Sequence, residues 1–103
     1  MAENLVVNQE LKGNVLNVTL KGRLDTNTAP SLEKQLKEQI TGEVKELIFD
    51  FSDLAYIASA GLRVLLSTQK IMSKQGKFVI KNVSEAVMEV FELTGFVDIL
   101  TIE

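Results

Sequence analysis

The chain has 103 residues, of which 46% are hydrophobic, and a formal net charge of −3. This length predicts one globular domain, residues 1–103, without a second active-site domain. The absence of cysteine and histidine excludes disulfides and removes the commonest general base and metal ligand, so we expect neither an enzyme nor a bound cofactor or metal. Only a serine–lysine or carboxylate mechanism would be left for catalysis.

The distribution of charge and of apolar residues also limits the partners. The lysines are scattered among glutamates, which indicates no nucleic-acid partner. No signal-peptide hydrophobic region and no apolar run of membrane length is present, so no direct membrane insertion is expected. The composition predicts a cytoplasmic location.

Two short strands come first. The segments 5–11 and 15–21 flank Lys12-Gly13-Asn14, a turn-forming trio typical of a β-hairpin. Leucine and valine alternate with polar residues in the second segment, so one of its faces should meet the core. Gly22 is expected to end it.

A polar loop, residues 23–28, leads into the first predicted helix. Asn27 or Thr28 is expected to cap this helix, Pro30 fits its first turn, and Gly42 is expected to stop it. In the loop, Asp25 is either a solvated or capping carboxylate or a contact residue beside Ser59, if the two strand ends are neighbours.

A nearly continuous apolar run, residues 47–51, predicts a strand buried on both faces. Ser52 and Asp53 are expected to start the connection to a helix from about Ala60 to Gln75. The apolar residues of this helix spread around more than half of its circumference. This pattern predicts either a deeply buried helix or a partner-binding edge at Leu62 or Leu66.

The rest of the chain predicts a strand, a helix and a last strand. Gly76 should end the second helix, Ser84 should cap the third and Gly95 should follow it, before a strand over residues 97–102. The order ββαβαβαβ predicts an α/β fold with a mostly parallel or mixed sheet, right-handed crossovers and an N-terminal antiparallel hairpin.

Ser59 is expected at the carboxyl end of the buried strand, where α/β sheets gather functional residues. It could simply cap the helix by accepting a hydrogen bond from the N–H group of Gly61 or Leu62. A phosphate there would also be favoured by the helix dipole, so capping and phosphorylation are compatible.

Three segments resemble the STAS domain, and specifically the free-standing bacterial anti-sigma-factor antagonist: Gly22-Arg-Leu-Asp25, Leu47-Ile-Phe-Asp-Phe-Ser-Asp-Leu54 and Tyr56-Ile-Ala-Ser-Ala-Gly-Leu-Arg-Val-Leu-Leu66. The resemblance implies that Ser59 is phosphorylated by an anti-sigma-factor serine kinase, that the unphosphorylated chain binds this kinase and frees the sigma factor, and that a phosphoserine phosphatase resets the cycle. Asp25 matches an acidic residue near the site. The predicted partner-binding residues are Asp25, Thr26, Tyr56, Ala58, Ser59, Ala60, Gly61, Leu62, Arg63 and Leu66.

One position departs from the family pattern. An aspartate usually precedes the serine, whereas this chain has Ala58, which changes the charge that a kinase would meet. The alternative is therefore a STAS scaffold subunit of a stress-signalling or lipid-transport complex that is not phosphorylated.

Overall fold

The structure, a computed structural model, describes residues 5–103. Its elements follow the predicted order ββαβαβαβ, with a 3₁₀ turn before the last strand. The strands are β1 (Leu5–Lys12), β2 (Val15–Leu24), β3 (Glu46–Ile57), β4 (Lys77–Lys81) and β5 (Thr101–Ile102); the helices are α1 (Ala29–Gln39), α2 (Ser59–Met72) and α3 (Glu85–Thr94), and the 3₁₀ turn is Phe96–Asp98.

The strands form one mixed sheet in the order β1-β2-β3-β4-β5. The pair β1–β2 is antiparallel and closes through a turn in which Gly13 has a φ of 62°, while the other three pairs are parallel. The α/β fold and its N-terminal hairpin, as predicted, are confirmed. Within residues 5–103, no helix combines the length and the apolar character needed to cross a membrane.

The sheet buries one face much more deeply than the other. Along β3, Leu47, Phe49 and Phe51 are fully buried, whereas Ile48 and Asp50 between them are half-buried. The prediction that this strand is buried on both faces is therefore wrong. An aspartate in the middle of the run was the signal, because a carboxylate is rarely buried without a partner.

β3 continues past the apolar run because it contains two irregularities. Its pairing with β2 gains one residue between Asp50 and Asp53 and another between Leu54 and Tyr56. Each extra residue shifts the alternation, so the buried positions Phe51, Leu54 and Ile57 come every third residue. The predicted connection at Ser52 and Asp53 is thus wrong: these residues lie within the strand.

The side chain of Asp50 stabilises the first irregularity. Its Oδ1 atom accepts hydrogen bonds from the Ser52 N–H at 2.9 Å and from Asn82 Nδ2 at 3.2 Å. The hydrogen bond from the Ser52 N–H has the largest effect on the pKa of Asp50 and lowers it. Partial burial acts in the opposite direction, but the Ser52 and Asn82 bonds together outweigh it, so the pKa is lowered.

Gly22 does not end β2, as was predicted, but lies within it. Its φ of 110° is a backbone conformation that favours glycine. The second irregularity of the pairing with β3 lies between Gly22 and the next residue, Arg23. The strand then runs on to Leu24, which is fully buried. β2 and β3 therefore reach the same edge of the sheet together.

The predicted helix boundaries are partly confirmed. Thr28 precedes α1, the Ser84 hydroxyl accepts a hydrogen bond from the Val87 N–H at 3.3 Å, and Gly95 follows α3 with a left-handed φ of 83°. Gly42 lies beyond the end of α1 rather than at it, because Ile40 takes the cap position. The last strand is limited to Thr101–Ile102 because Phe96–Asp98 form the 3₁₀ turn.

Gly76 is required by close packing rather than by helix termination, because α2 already ends at Met72. A Cβ atom at Gly76 would lie 1.9 Å from the carbonyl oxygen of Lys45, which accepts a hydrogen bond from the Lys77 N–H at 2.9 Å. Any side chain at position 76 would therefore force the start of β4 away from β3.

We expect Gly76→Ala to lower the free energy of unfolding by about 2 kcal/mol or more, because the clash is with backbone rather than with a movable side chain. Urea denaturation measures the change. Gly42→Ala is the matched control, since a Cβ atom there has nothing within 4 Å; it should be neutral or stabilising by up to about 1 kcal/mol. Equal stability of the two variants would contradict the packing assigned to Gly76.

Candidate functional site

The parallel pairing of β2 and β3 brings the predicted site residues to one edge of the sheet. Leu24 is paired with Ile57, and the Ala58 N–H donates to the Leu24 carbonyl at 2.9 Å. The two strand ends are neighbours, which was the condition for Asp25 and Ser59 to belong to one site. We call this region, residues 23–28 with residues 56–66, the carboxyl edge.

Ser59 is the first residue of α2 rather than its N-cap. The N-cap is Ala58, whose backbone is extended (φ −105°, ψ 175°) and whose side chain cannot accept a hydrogen bond. The prediction that the Ser59 hydroxyl caps the helix by accepting from the Gly61 or Leu62 N–H is therefore wrong, because this end of α2 has no side-chain cap. Ser59 is exposed, and the first helical hydrogen bond runs from the Leu62 N–H to the Ala58 carbonyl at 3.1 Å. The preceding N–H groups of the helix have no carbonyl of their own helix to bind.

Gly61 sets how closely α2 approaches the sheet. A Cβ atom at this position would lie 2.7 Å from Cγ of Leu24 and 2.9 Å from Cγ1 of Ile57. The helix can begin directly over the ends of β2 and β3 only because position 61 has no side chain. Gly61 thus fixes where Ser59 lies relative to Asp25.

The side chain of Asp25 is held by the loop that contains it. Its Oδ1 atom accepts hydrogen bonds from the Asn27 N–H at 2.9 Å, the Thr28 N–H at 3.1 Å and the Thr28 hydroxyl at 3.2 Å. Partial burial acts to raise the pKa of Asp25, but these bonds and the nearby Arg23 outweigh it and lower the pKa. Asp25 is therefore a fixed carboxylate at neutral pH. Its bonds close the turn before α1 rather than cap the helix, whose N-cap residue, Thr28, makes no side-chain capping bond.

Arg23 is a residue of the carboxyl edge that is absent from the sequence-based set. Its guanidinium carbon lies 4.2 Å from the centre of the Tyr56 ring, and its Nε atom is 3.9 Å from Oδ2 of Asp25. Arg23 and Tyr56 are register partners on adjacent strands. The cation–π contact holds Tyr56, which is 40% exposed, over the end of β2. The position of Arg23, two residues before Asp25, could have indicated it as a site residue. Its contact with Tyr56 could not be predicted, because it depends on the register of β2 and β3.

A groove lies between the start of α2 and the start of α1. This groove, of about 240 Å³, is lined by residues from the first turns of both α1 and α2: Ala29, Pro30, Glu33, Ala60, Arg63 and Val64. Arg63 is exposed and Ala60 is half-buried. The contribution of α1 to this surface was not predicted, because its apolar spacing indicates only the buried face.

The remaining predicted residues differ in accessibility. Thr26 is exposed and Leu66 is half-buried, whereas Gly61 and Leu62 are buried. The wide apolar face of α2 is largely explained by burial, because Leu62, Val64, Leu65 and Met72 all pack in the core. The partner-binding edge predicted at Leu62 is thus not exposed.

No metal chemistry is suggested by the carboxyl edge. Within residues 5–103, no three side chains of the histidine, cysteine, aspartate or glutamate type are grouped to hold a metal ion. The edge offers an exposed hydroxyl, free N–H groups of a helix, a fixed carboxylate and a cation stacked on an aromatic ring. Such a set suits recognition or modification of Ser59.

We expect the free energy of unfolding to fall as the pH drops below about 4, because the lowered pKa of Asp25 and Asp50 means that the unfolded chain binds protons first. The stabilisation that these two carboxylates give to the folded state is complete above their unfolded-state pKa. It is lost as the pH falls through their folded-state pKa. Urea denaturation between pH 7 and pH 2 measures it, and Asp25→Asn should flatten the curve.

The source of the Asp25 effect can be tested by NMR titration of its carboxyl carbon. Thr28→Val should raise the pKa of Asp25, since it removes the hydroxyl bond, whereas Thr26→Val, at a neighbouring threonine, should leave it unchanged. A wild-type Asp25 that titrates at or above 3.8 would contradict the hydrogen-bonding described here.

Comparison with known proteins places this geometry in a family. The family model described as the STAS domain matches residues 7–103. The anti-sigma-B factor antagonist of Bacillus subtilis is 31% identical over 100 residues, which cover 96% of this chain and 91% of that protein.

Solved structures share the fold. The crystal structure of an anti-sigma factor antagonist from Mycobacterium paratuberculosis gives a TM-score of 0.86 at 24% identity, over 95% of this chain and 84% of that one. The anti-sigma factor antagonist SpoIIAA in its unphosphorylated form gives 0.81 at 20% identity, over 95% and 88%. The phosphorylated form of Bacillus SpoIIAA gives 0.74 at 20% identity, over 95% and 91%. This chain belongs to the STAS domain family.

Proposed function

We propose that the chain is an anti-sigma factor antagonist that binds a kinase-type anti-sigma factor through the carboxyl edge, and that phosphorylation of Ser59 switches this binding off. The observation that carries the proposal is the exposed hydroxyl of Ser59 at the first position of α2, between two half-buried alanines. The relative from Bacillus subtilis is an anti-sigma-B factor antagonist, and SpoIIAA exists in unphosphorylated and phosphorylated forms.

The start of α2 can accept a phosphate without unfolding. The N–H groups before the first helical hydrogen bond are donors for the phosphate oxygens, and the helix dipole favours negative charge at this end. Ala58, Ser59 and Ala60 carry no large side chain that a phosphate would displace. Phosphorylation would therefore change the surface rather than the fold.

The same phosphate would oppose a partner seated on the carboxyl edge. A phosphoserine adds roughly 1.5 to 2 negative charges. Asp25, on the neighbouring strand end, already holds a fixed negative charge there. A partner packed closely over Ala58 and Ala60 would lose its fit and would desolvate the dianion imperfectly, at a cost of a few kcal/mol.

The contact surface follows from exposure. The exposed residues Thr26, Tyr56, Ser59 and Arg63 present side chains to a partner, and Asp25 contributes its charge from a half-buried position. The groove beside Ala60 can receive a side chain of the partner. Gly61 and Leu62, both predicted to bind the partner, would act indirectly by placing α2. An anti-sigma-factor serine kinase and a phosphoserine phosphatase are the partners of this cycle, which would operate in the cytoplasm, where bacterial transcription takes place.

The alternative is a scaffold subunit that is not phosphorylated. Ala58, in place of the aspartate usual in the family, favours it. Its second motivation, spare apolar surface on α2, is weakened because Leu62 is buried and Leu66 is half-buried. Affinity purification that yields a transporter or scaffold protein and no kinase would favour the alternative.

Incubation with a kinase-type anti-sigma factor from the same organism and ATP should place one phosphate on Ser59. Tandem mass spectrometry locates it. Ser59→Ala should abolish the modification, whereas Ser52→Ala, at another exposed serine within β3, should retain it. A phosphate at another residue, or none while the two proteins bind tightly, would refute the proposed switch.

Ser59→Asp should weaken binding of the kinase by about a hundredfold, because a carboxylate imitates part of the phosphate charge. Isothermal titration calorimetry measures the affinity. Thr41→Asp is the matched control: it adds the same charge in the exposed loop before β3, at the opposite edge of the sheet, and should bind like the wild type. Equal affinity of Ser59→Asp and wild type would contradict the electrostatic mechanism.

A further inference from the structure

A second surface lies at the end of the sheet opposite Ser59. The parallel strands all enter the sheet at one edge and leave at the other, and Ser59 follows the exit of β3. α3 begins after the exit of β4 and returns, so its last turn and the 3₁₀ turn lie near the entry of β5. Three large apolar side chains are exposed there: Leu93 (82%), Ile99 (46%) and Val97 (38%). We call them the C-terminal apolar patch.

Folding does not explain this patch. The segment is anchored by other residues, because Phe91 and Leu100 are buried in the core and Phe96 packs against it. A single exposed apolar residue is common on protein surfaces, but three within the short segment 93–99 concentrate apolar surface there, as binding sites do.

The patch is held in a defined shape. After the left-handed Gly95, the Ile99 N–H donates to the Phe96 carbonyl at 3.0 Å and the Leu100 N–H donates to the same carbonyl at 2.9 Å. A partner would not have to order this turn on binding, which reduces the entropic cost of association.

The charge around the patch identifies the kind of partner. Residues 82–103 contain five acidic residues and no lysine or arginine, whereas the rest of the chain contains nine acidic and eleven basic residues. Glu89 lies one helical turn before Leu93, Glu92 is adjacent to it, and Asp98 separates Val97 from Ile99. All three carboxylates are exposed, and none forms a salt bridge within residues 5–103.

We propose that the C-terminal apolar patch binds an amphipathic helix of a partner protein, whose apolar face is flanked by lysine or arginine. Such a helix places apolar side chains on the patch and cations beside Glu89, Glu92 and Asp98. The acidic rim disfavours a second copy of the same patch by like-charge repulsion, and it disfavours an anionic membrane surface for the same reason. The site is separate from the carboxyl edge, so both can be occupied at once.

The test is an NMR titration of the ¹⁵N-labelled chain with a synthetic helical peptide that carries leucine on one face and lysine along its flanks. Saturable shifts should be centred on residues 89–99 and absent from residues 56–63. A peptide of the same composition, shuffled so that the leucines surround the helix, should bind at least tenfold more weakly. Absence of shifts at residues 89–99, or equal binding of the shuffled peptide, would overturn the proposal.

Two variants test the two parts of the surface. Leu93→Asp should weaken the peptide at least tenfold, whereas Leu11→Asp, at an exposed leucine of the first hairpin (57%), should not. The double charge reversal Glu89→Lys, Glu92→Lys should also weaken binding and should reduce its dependence on salt. Unchanged affinity in either patch variant would contradict the proposed contacts.

Two other occupants of the patch, a second copy of the chain and an anionic membrane, would give different results in two further measurements. Concentration-dependent dimers in analytical ultracentrifugation that Leu93→Asp abolishes would mean that a second copy covers the patch. Sedimentation with vesicles of anionic phospholipid that Leu93→Asp abolishes would mean that a membrane does. Either result would overturn the proposal. A chain that stays monomeric, does not sediment with the vesicles and binds the peptide would support it.

Discussion

The hydrogen bond from the Ala58 N–H to the Leu24 carbonyl is the contact on which the carboxyl edge depends. It is the last link between β2 and β3, and it lies where one chain segment turns into α2 and the other into the loop before α1. Both segments are therefore fixed to the same backbone position. Gly61 completes the arrangement, since the close approach of α2 to Leu24 and Ile57 requires a residue without a side chain.

Specific contacts hold several parts of the edge in place, whereas Ser59 is exposed. Asp25 is bound by its own loop, Arg23 stacks on the ring of the exposed Tyr56, and the Ala58 N–H donates to the Leu24 carbonyl of β2. A partner that meets such a surface gains affinity from preorganisation, because little of the surface has to be ordered on contact. A charge added at Ser59 would join the negative charge that the hydrogen-bonded carboxylate of Asp25 already holds at this edge.

Much of the fold could be predicted from the sequence because its signals are local. The Gly13 turn, the Ser84 cap and the left-handed Gly95 each depend on residues adjacent in the chain. The length of β3 could not be predicted, since its buried residues change from a spacing of two to a spacing of three where the pairing with β2 gains residues. Likewise, the contacts of Arg23 with Tyr56 and of Gly76 with Lys45 join positions whose proximity is known only from strand register. The position of Ser59 follows from local pattern, but its neighbours do not.

The two extra residues of β3 have a consequence for how this surface can vary among related chains. In a regular ladder continued from the pair Thr19–Asp50, Leu24 would face position 55 instead of Ile57. The two irregularities therefore determine which residue of β3 faces Leu24, and so how many residues separate that position from Ser59. Loss of one residue near Ser52 or Ala55 would remove one irregularity and restore regular alternation there, while Leu24 would still face Ile57. The two extra residues therefore lengthen β3 without disturbing the alignment of Leu24 with Ile57, on which the start of α2 depends.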